Sequence, residues 1–84
     1  MSSIEKLKHA LKERPKTFDW LDMVRVLSEA GYTEVKTGKT SGSRMKFINA
    51  AAAPIVLHKP HHGNQMKAYA VKLIAEQLES EGLL

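Results

Sequence analysis

There is no cysteine in this chain. That excludes disulfides, thiolate-ligated zinc and a thiol nucleophile. There is no long apolar run either. The longest, Ala50 to Leu57, is interrupted by Pro54 and is far too short to cross a bilayer. The opening residues, Met1-Ser-Ser-Ile-Glu-Lys, lack the apolar core of a secretion signal, so the expected location is cytoplasmic. Internal repeats and long linkers are missing. So is a phosphate-binding glycine motif: Gly38-Lys-Thr-Ser-Gly42 has the wrong spacing and no helix after it, and reads as a polar turn. Length is also scarce. Eighty-four residues make one small domain, which without a staple needs an efficient core, an oligomer or a partner. What is present is a globular composition, 43% hydrophobic and 26% charged. Thirteen Lys and Arg against nine Asp and Glu leave a net charge of +4, which favours an anionic partner such as nucleic acid.

Hydrophobic spacing divides the chain into elements. Ser2 with Glu5 has capping-box spacing. Ile4, Leu7 and Leu11 then form an apolar stripe, which predicts a helix stopped by Pro15. A second helix is predicted from Thr17, with Phe18, Leu21, Val24 and Leu27 as its stripe, widened by Trp20 and Met23. At that spacing Phe18 and Trp20 read as core residues. Gly31 suits the left-handed position after the helix, with Tyr32 packing back on Leu27. The period then changes to two. Thr33–Thr37, Ser43–Phe47 and Ile55–Leu57 are predicted as strands, paired antiparallel through short connections. Asn49 and the alanines after it read as the second connection. A last helix is predicted from an Asn64 cap to about Ser80, with Met66, Tyr69, Ala70, Leu73, Ile74 and Leu78 as its apolar face and Gly82 as its stop. If Val35, Met45, Phe47, Ile55 and Leu57 face the last two helices, then Lys36, Arg44, Lys46 and His58 lie on the open face of the sheet.

Two groups of residues carry candidate chemistry. Lys36, Lys39, Arg44, Lys46, Lys59 and Lys67 come from the sheet and its connections, and suit phosphate contacts. Lys67 stands where the helix dipole disfavours a cation, as expected of a residue placed for an anion. His58, His61 and His62 fall in one loop. No acidic residue lies nearby to complete a metal site. Imidazoles bordering a basic face suit acid–base cleavage of RNA: one takes the 2′-hydroxyl proton, another protonates the leaving oxygen, and a cation stabilises the phosphorane. Such a reaction needs no metal and no cofactor.

These residues together resemble a known family. Gly31-Tyr32 closing a helix, Thr40-Ser-Gly-Ser-Arg44 with Lys46-Phe47, Leu57-His-Lys-Pro-His61, and a helix opening near Asn64-Gln-Met-Lys67 are similar to the HicA toxins of type II toxin–antitoxin pairs. The resemblance spans about Phe18 to Leu78. It implies an α+β fold, double-stranded-RNA-binding-domain-like α-β-β-β-α, here with an extra N-terminal helix, so that residues 1–16 are an extension and 17–84 the toxin domain. It implies an mRNA-cleaving toxin, an endoribonuclease, restrained by a HicB-like antitoxin over its RNA-binding face. The family usually carries Gly-Ser-His on its second strand; this chain has Gly42-Ser43-Arg44. Arginine stays charged and moves protons poorly. Proton transfer then falls to His58, or to His61, the approximate match to the family's second histidine. Lys36, Arg44, Lys46, Lys59 and Lys67 remain as RNA-binding candidates. The other readings are a non-catalytic RNA-binding domain of the same fold and a protein-interaction module in an antitoxin complex. A homo-oligomer and a toxin–antitoxin hetero-oligomer both remain open.

Overall fold

The first helix, α1, runs Ile4–Lys12 in the computed structural model, which describes residues 4–35, 44–60 and 63–84. Ser2, Lys36, Lys39 and the rest of the turn 38–42, Ser43, His61 and His62 lie outside the described residues. Leu7 and Leu11, one turn apart, share a face and are buried. The helix ends ahead of Pro15, which disfavours the α region for its predecessor. Arg14 takes a left-handed φ of 53°. Its guanidinium donates to Glu79, with Nη2 2.6 Å from Oε1.

Phe18–Asp19 forms a short strand, β1, so the second helix does not begin at Thr17 as its spacing predicts. Phe18 is extended and inserted into the core, while Asp19 is the N-cap, its Oδ1 accepting the Leu21 amide at 2.9 Å. Helix α2 is Trp20–Glu29. Its buried face is Trp20, Met23, Val26 and Leu27, and Leu21 is 61% exposed. Two apolar stripes one residue apart compete here, and the one carrying the large Trp20 side chain faces inward. The C-terminus closes as expected. Gly31 adopts φ +100°, the Tyr32 amide donates to the Leu27 carbonyl at 2.9 Å, and the Gly31 amide donates to that of Ser28 at 3.1 Å.

Three strands follow: β2 (Thr33–Val35), β3 (Arg44–Asn49) and β4 (Ala52–His58). They form an antiparallel sheet in the order β2-β3-β4. β4 begins earlier than the predicted Ile55, because the alanines join the strand rather than the connection. Asn49 makes the turn: its side chain accepts the Ala51 amide at 2.9 Å and donates to the Ala30 carbonyl at 2.9 Å, tying the turn to the end of α2. Pro54 sits on the edge strand beside a register shift between Phe47 and Asn49, where a missing donor is tolerated.

The last helix also starts later than its spacing predicts. Asn64 is not its cap. Gln65–Met66 instead forms β5, which pairs antiparallel with β1 in the register Phe18 to Met66 and Asp19 to Gln65. The Asn64 carbonyl accepts the Trp20 amide. Lys67 is the N-cap, without a side-chain cap bond, and α3 runs Ala68–Ser80. It buries Val71, Ile74, Ala75 and Leu78. Tyr69 and Leu73, expected on the apolar face, are 65% and 62% exposed. Gly82 ends the helix at φ +74°, with the Leu83 amide donating to the Leu78 carbonyl at 2.8 Å.

All three helices and the inner sheet face meet in one core. Phe47, Ile55 and Leu57 from the sheet join Trp20, Met23 and Leu27, Ile74 and Leu78, and Leu7 and Leu11 from α1. The Trp20 and Phe47 rings are tilted, with centroids 6.4 Å apart.

Candidate nucleic-acid interface

The core leaves one sheet face open, and cross-strand register assigns residues to it. Lys46 of β3 lies between Val35 of β2 and Val56 of β4. Arg44 lies opposite His58. Directly paired residues point to the same face. Arg44, Lys46, Val56 and His58 therefore share the side away from Met45, Phe47, Ile55 and Leu57. Arg44 and His58 are exposed, and Val56 is 45% exposed. This bears out the open-face assignment of Arg44, Lys46 and His58.

Val35 is the exception. It pairs with Lys46 and so belongs to the open face, not among the residues facing the helices. The neighbouring Glu34, paired with Phe47, takes the inward-facing register at an exposed edge. Ile48, 44% exposed, extends the same surface on β3. The open face is thus a mixture of cations and apolar groups, not a purely basic surface.

Direct pairing across an antiparallel ladder brings Cβ atoms within about 5 Å. The Arg44 guanidinium and the His58 imidazole are therefore set to reach the same bound group. Arg44 supplies a permanent charge with several donors; His58 supplies an imidazole with two ring nitrogens. Arg44 opens β3, the central strand, and His58 ends β4, so the β3–β4 ladder sets the pair side by side.

Between the C-terminal end of β4 and the start of α3 lies a cleft of about 400 Å³, lined by His58, Lys59, Gln65, Met66, Lys67 and Tyr69 among others. Three of the candidates, His58, Lys59 and Lys67, thus line one cavity, which shares His58 with the open face. Lys36 and His61, the remaining candidates, lie outside the described residues. Sequence spacing did not mark Tyr69 or Gln65 as site residues, because both were assigned to a helix. The exposure of an aromatic ring at a helical position was the missed signal. Among the described residues, no three or more His, Asp or Glu side chains gather in a metal-binding group.

The other edge of β4 is capped at Ala53. The Ala53 amide donates to Glu81 at 3.0 Å, and the Ala53 carbonyl accepts from Gln77 at 3.0 Å and from the Tyr32 hydroxyl at 3.3 Å. Side chains from the C-terminal part of α3 thereby occupy backbone groups that an edge strand would otherwise offer to another chain.

Among the described residues, no helix is long and apolar enough to cross a membrane. Comparison with protein families matches residues 20–79 to the model described as the HicA toxin of bacterial toxin–antitoxin. No curated protein and no solved structure matches the chain significantly. The matched region opens with α2, continues through the three sheet strands and closes with α3, the α-β-β-β-α order of a double-stranded-RNA-binding-like fold.

Proposed function

This chain belongs to the HicA toxin family of bacterial toxin–antitoxin pairs, and on that premise we propose that it binds mRNA on the open sheet face and cleaves it by metal-independent acid–base chemistry. The observation that carries the reading is the pairing of Arg44 with His58, which lines a cleft together with Lys59 and Lys67. Arg44 and Lys46 hold the phosphates, helped by Lys59, Lys67 and Lys36. His58 takes the proton from a ribose 2′-hydroxyl, and the freed oxygen attacks the adjacent phosphorus. A 2′,3′-cyclic phosphate forms as the bond to the 5′-oxygen breaks. That oxygen leaves with a proton from a second acid, the role we give to His61. Arg44 stabilises the charge that builds on the phosphorane oxygens. Its permanent charge suits this work better than it suits proton transfer.

The antitoxin is proposed to cover the same face. Val56 and Ile48 are the exposed apolar groups beside Lys46. A partner that matches the cations with carboxylates and covers these side chains would shut the site and associate fastest at low salt.

The test is expression of the chain alone and together with the product of the adjacent gene, followed by RNA integrity and co-purification. Growth arrest and RNA fragmentation are expected for the chain alone, and rescue with a stable complex for the pair. In vitro, His58→Ala is expected to lower cleavage by about 10²–10⁴-fold while RNA binding and folding persist. Full activity in a His58→Ala, His61→Ala double variant overturns the mechanism. Wild-type protein that binds RNA without cutting it moves the assignment to a non-catalytic RNA-binding domain of the same fold.

A further inference from the structure

We propose that the cleft between the end of β4 and the start of α3 is a nucleobase pocket: it takes one unstacked base of a single-stranded or bulged RNA, seated on the Tyr69 ring. The proposal rests on the RNA reading above and goes beyond it, because it says which RNA conformation the protein selects.

The cleft, about 400 Å³, has the right make-up for a base joined to its phosphates. Its lining includes the buried Met66, held in place by the β5 pairing with Phe18. Tyr69 is also in the lining. It is 65% exposed although it lies in the first turn of an α-helix whose buried face is complete without it. A large aromatic side chain left in solvent beside a cavity is well suited to stacking, since every base offers a π-face. The exposed lysines Lys59 and Lys67 contribute from the two ends of the cleft's chain segment, one after β4 and one capping α3. Each can meet a phosphate flanking the base. The Gln65 side chain, also in the lining, offers both a donor and an acceptor to a base edge.

A paired base cannot use this cavity. Within a duplex both faces of a base are covered by its neighbours, and only groove edges and the backbone are presented. The base must therefore be unpaired or extruded. His58 lines the same cavity, so a base held on Tyr69 fixes which ribose and phosphate lie beside His58 and Arg44. Tyr69 is a positioning residue in this arrangement.

The experiment measures binding of the intact protein to a single-stranded oligonucleotide and to a blunt duplex of the same sequence, both 2′-fluoro-substituted so that no 2′-hydroxyl can attack. A third probe is the single strand with one abasic position scanned along it. The single strand is expected to bind tighter than the duplex. Tyr69→Ala is expected to weaken single-strand binding by about 5- to 150-fold, the range that stacking on one base supports. Tyr69→Phe keeps the ring and should bind as wild type. One abasic position should reproduce the loss in wild type and cause no further loss in Tyr69→Ala. Equal affinity for single strand and duplex, with Tyr69→Ala indistinguishable from wild type, overturns the base pocket and leaves the RNA reading standing. No binding to either probe overturns both. Tyr69 is exposed, so its replacement is not expected to unfold the protein, and an unchanged melting temperature in Tyr69→Ala verifies this.

Discussion

Arg44 and His58 stand together because two strands are joined by a turn that leaves no freedom of register. Asn49 and the two alanines after it close the β3–β4 hairpin, and the ladder then aligns Met45 with Leu57 and Arg44 with His58. A slip by one residue would turn Phe47 and Ile55 to solvent, so burial of the inner face enforces the outer pair. The charges on that outer face should act uniformly across RNA sequences, since phosphate contacts position without specifying. Arg44→Ala and Lys46→Ala are each expected to weaken binding to unrelated RNAs by similar factors and to reduce the slope of log affinity against log salt by about one contact each. Titrations at several salt concentrations measure this; an unchanged slope in both variants would mean that the face does not touch RNA. That Arg44 and His58 share the open face was legible in the sequence, because alternation implies it; their direct pairing was not, because the alanines read as a connection and the ladder carries a register shift between Phe47 and Asn49. Nor was the face of Val35. Alternation over Thr33–Thr37 gives a period but not which side faces in, and that is set by pairing with Lys46, a residue from a segment further along the chain.

Helices were legible as elements but not as faces. α2 and α3 lie close to where their periodicity puts them, and Trp20, Met23, Leu27, Ile74 and Leu78 are buried as expected, yet each buried face is rotated so that Leu21, Tyr69 and Leu73 are left in solvent. In α3 the true stripe, Val71, Ile74, Ala75 and Leu78, includes small and β-branched residues that compete poorly in a count of large apolar groups, while Tyr69 and Leu73 inflate the wrong side. Strands β1 and β5 were read as helix because two residues carry no period at all, and only their mutual pairing makes them extended. α1 was read correctly, and Leu11 shows how it is attached: its side chain is fully buried against the core shared with α2 and α3. Leu11→Ala should cost about 2–5 kcal/mol in global stability, seen as a lower urea midpoint with a single transition. A biphasic transition would mean that α1 unfolds by itself. The same attachment includes an exposed ion pair. Hydrogen bonding from Arg14 holds the Glu79 carboxyl below its ordinary value of 4.5. A carboxylate lowered in this way adds stability that is fully present above pH 4.5 and is lost as the pH falls through the lowered value. Glu79→Gln should therefore flatten the acid limb of a stability–pH curve by a small amount, as befits a solvent-screened pair. Equal acid sensitivity in the two proteins would show that the pair does not contribute.

For the molecule as a whole, the family match begins at Trp20, but the cooperative unit does not. Leu7, Leu11 and Phe18 all sit in the common core upstream of that point, and β1 completes the ladder that sets the start of α3. The architecture and the cations of its open face were readable because an 84-residue chain with two changes of period has few ways to arrange its layers. The cleft was not readable, because its walls come from the end of one strand and the start of a helix, and its depth depends on the β1–β5 rung that the sequence concealed.

That rung also gives the protein an optical handle. Trp20 is its single tryptophan, 3% exposed, with its ring beside Phe47 and its backbone amide bound to the carbonyl of Asn64, next to cleft residue Gln65. Emission therefore originates from one indole at the junction of helix, sheet and cleft. It should be blue-shifted in the native protein and move to the red in a single step with urea, coinciding with the loss of helical circular dichroism. Ligand entering the cleft should perturb the same band without any attached dye. An indole emitting at the wavelength of solvent-exposed tryptophan in native buffer would contradict the burial on which this signal depends.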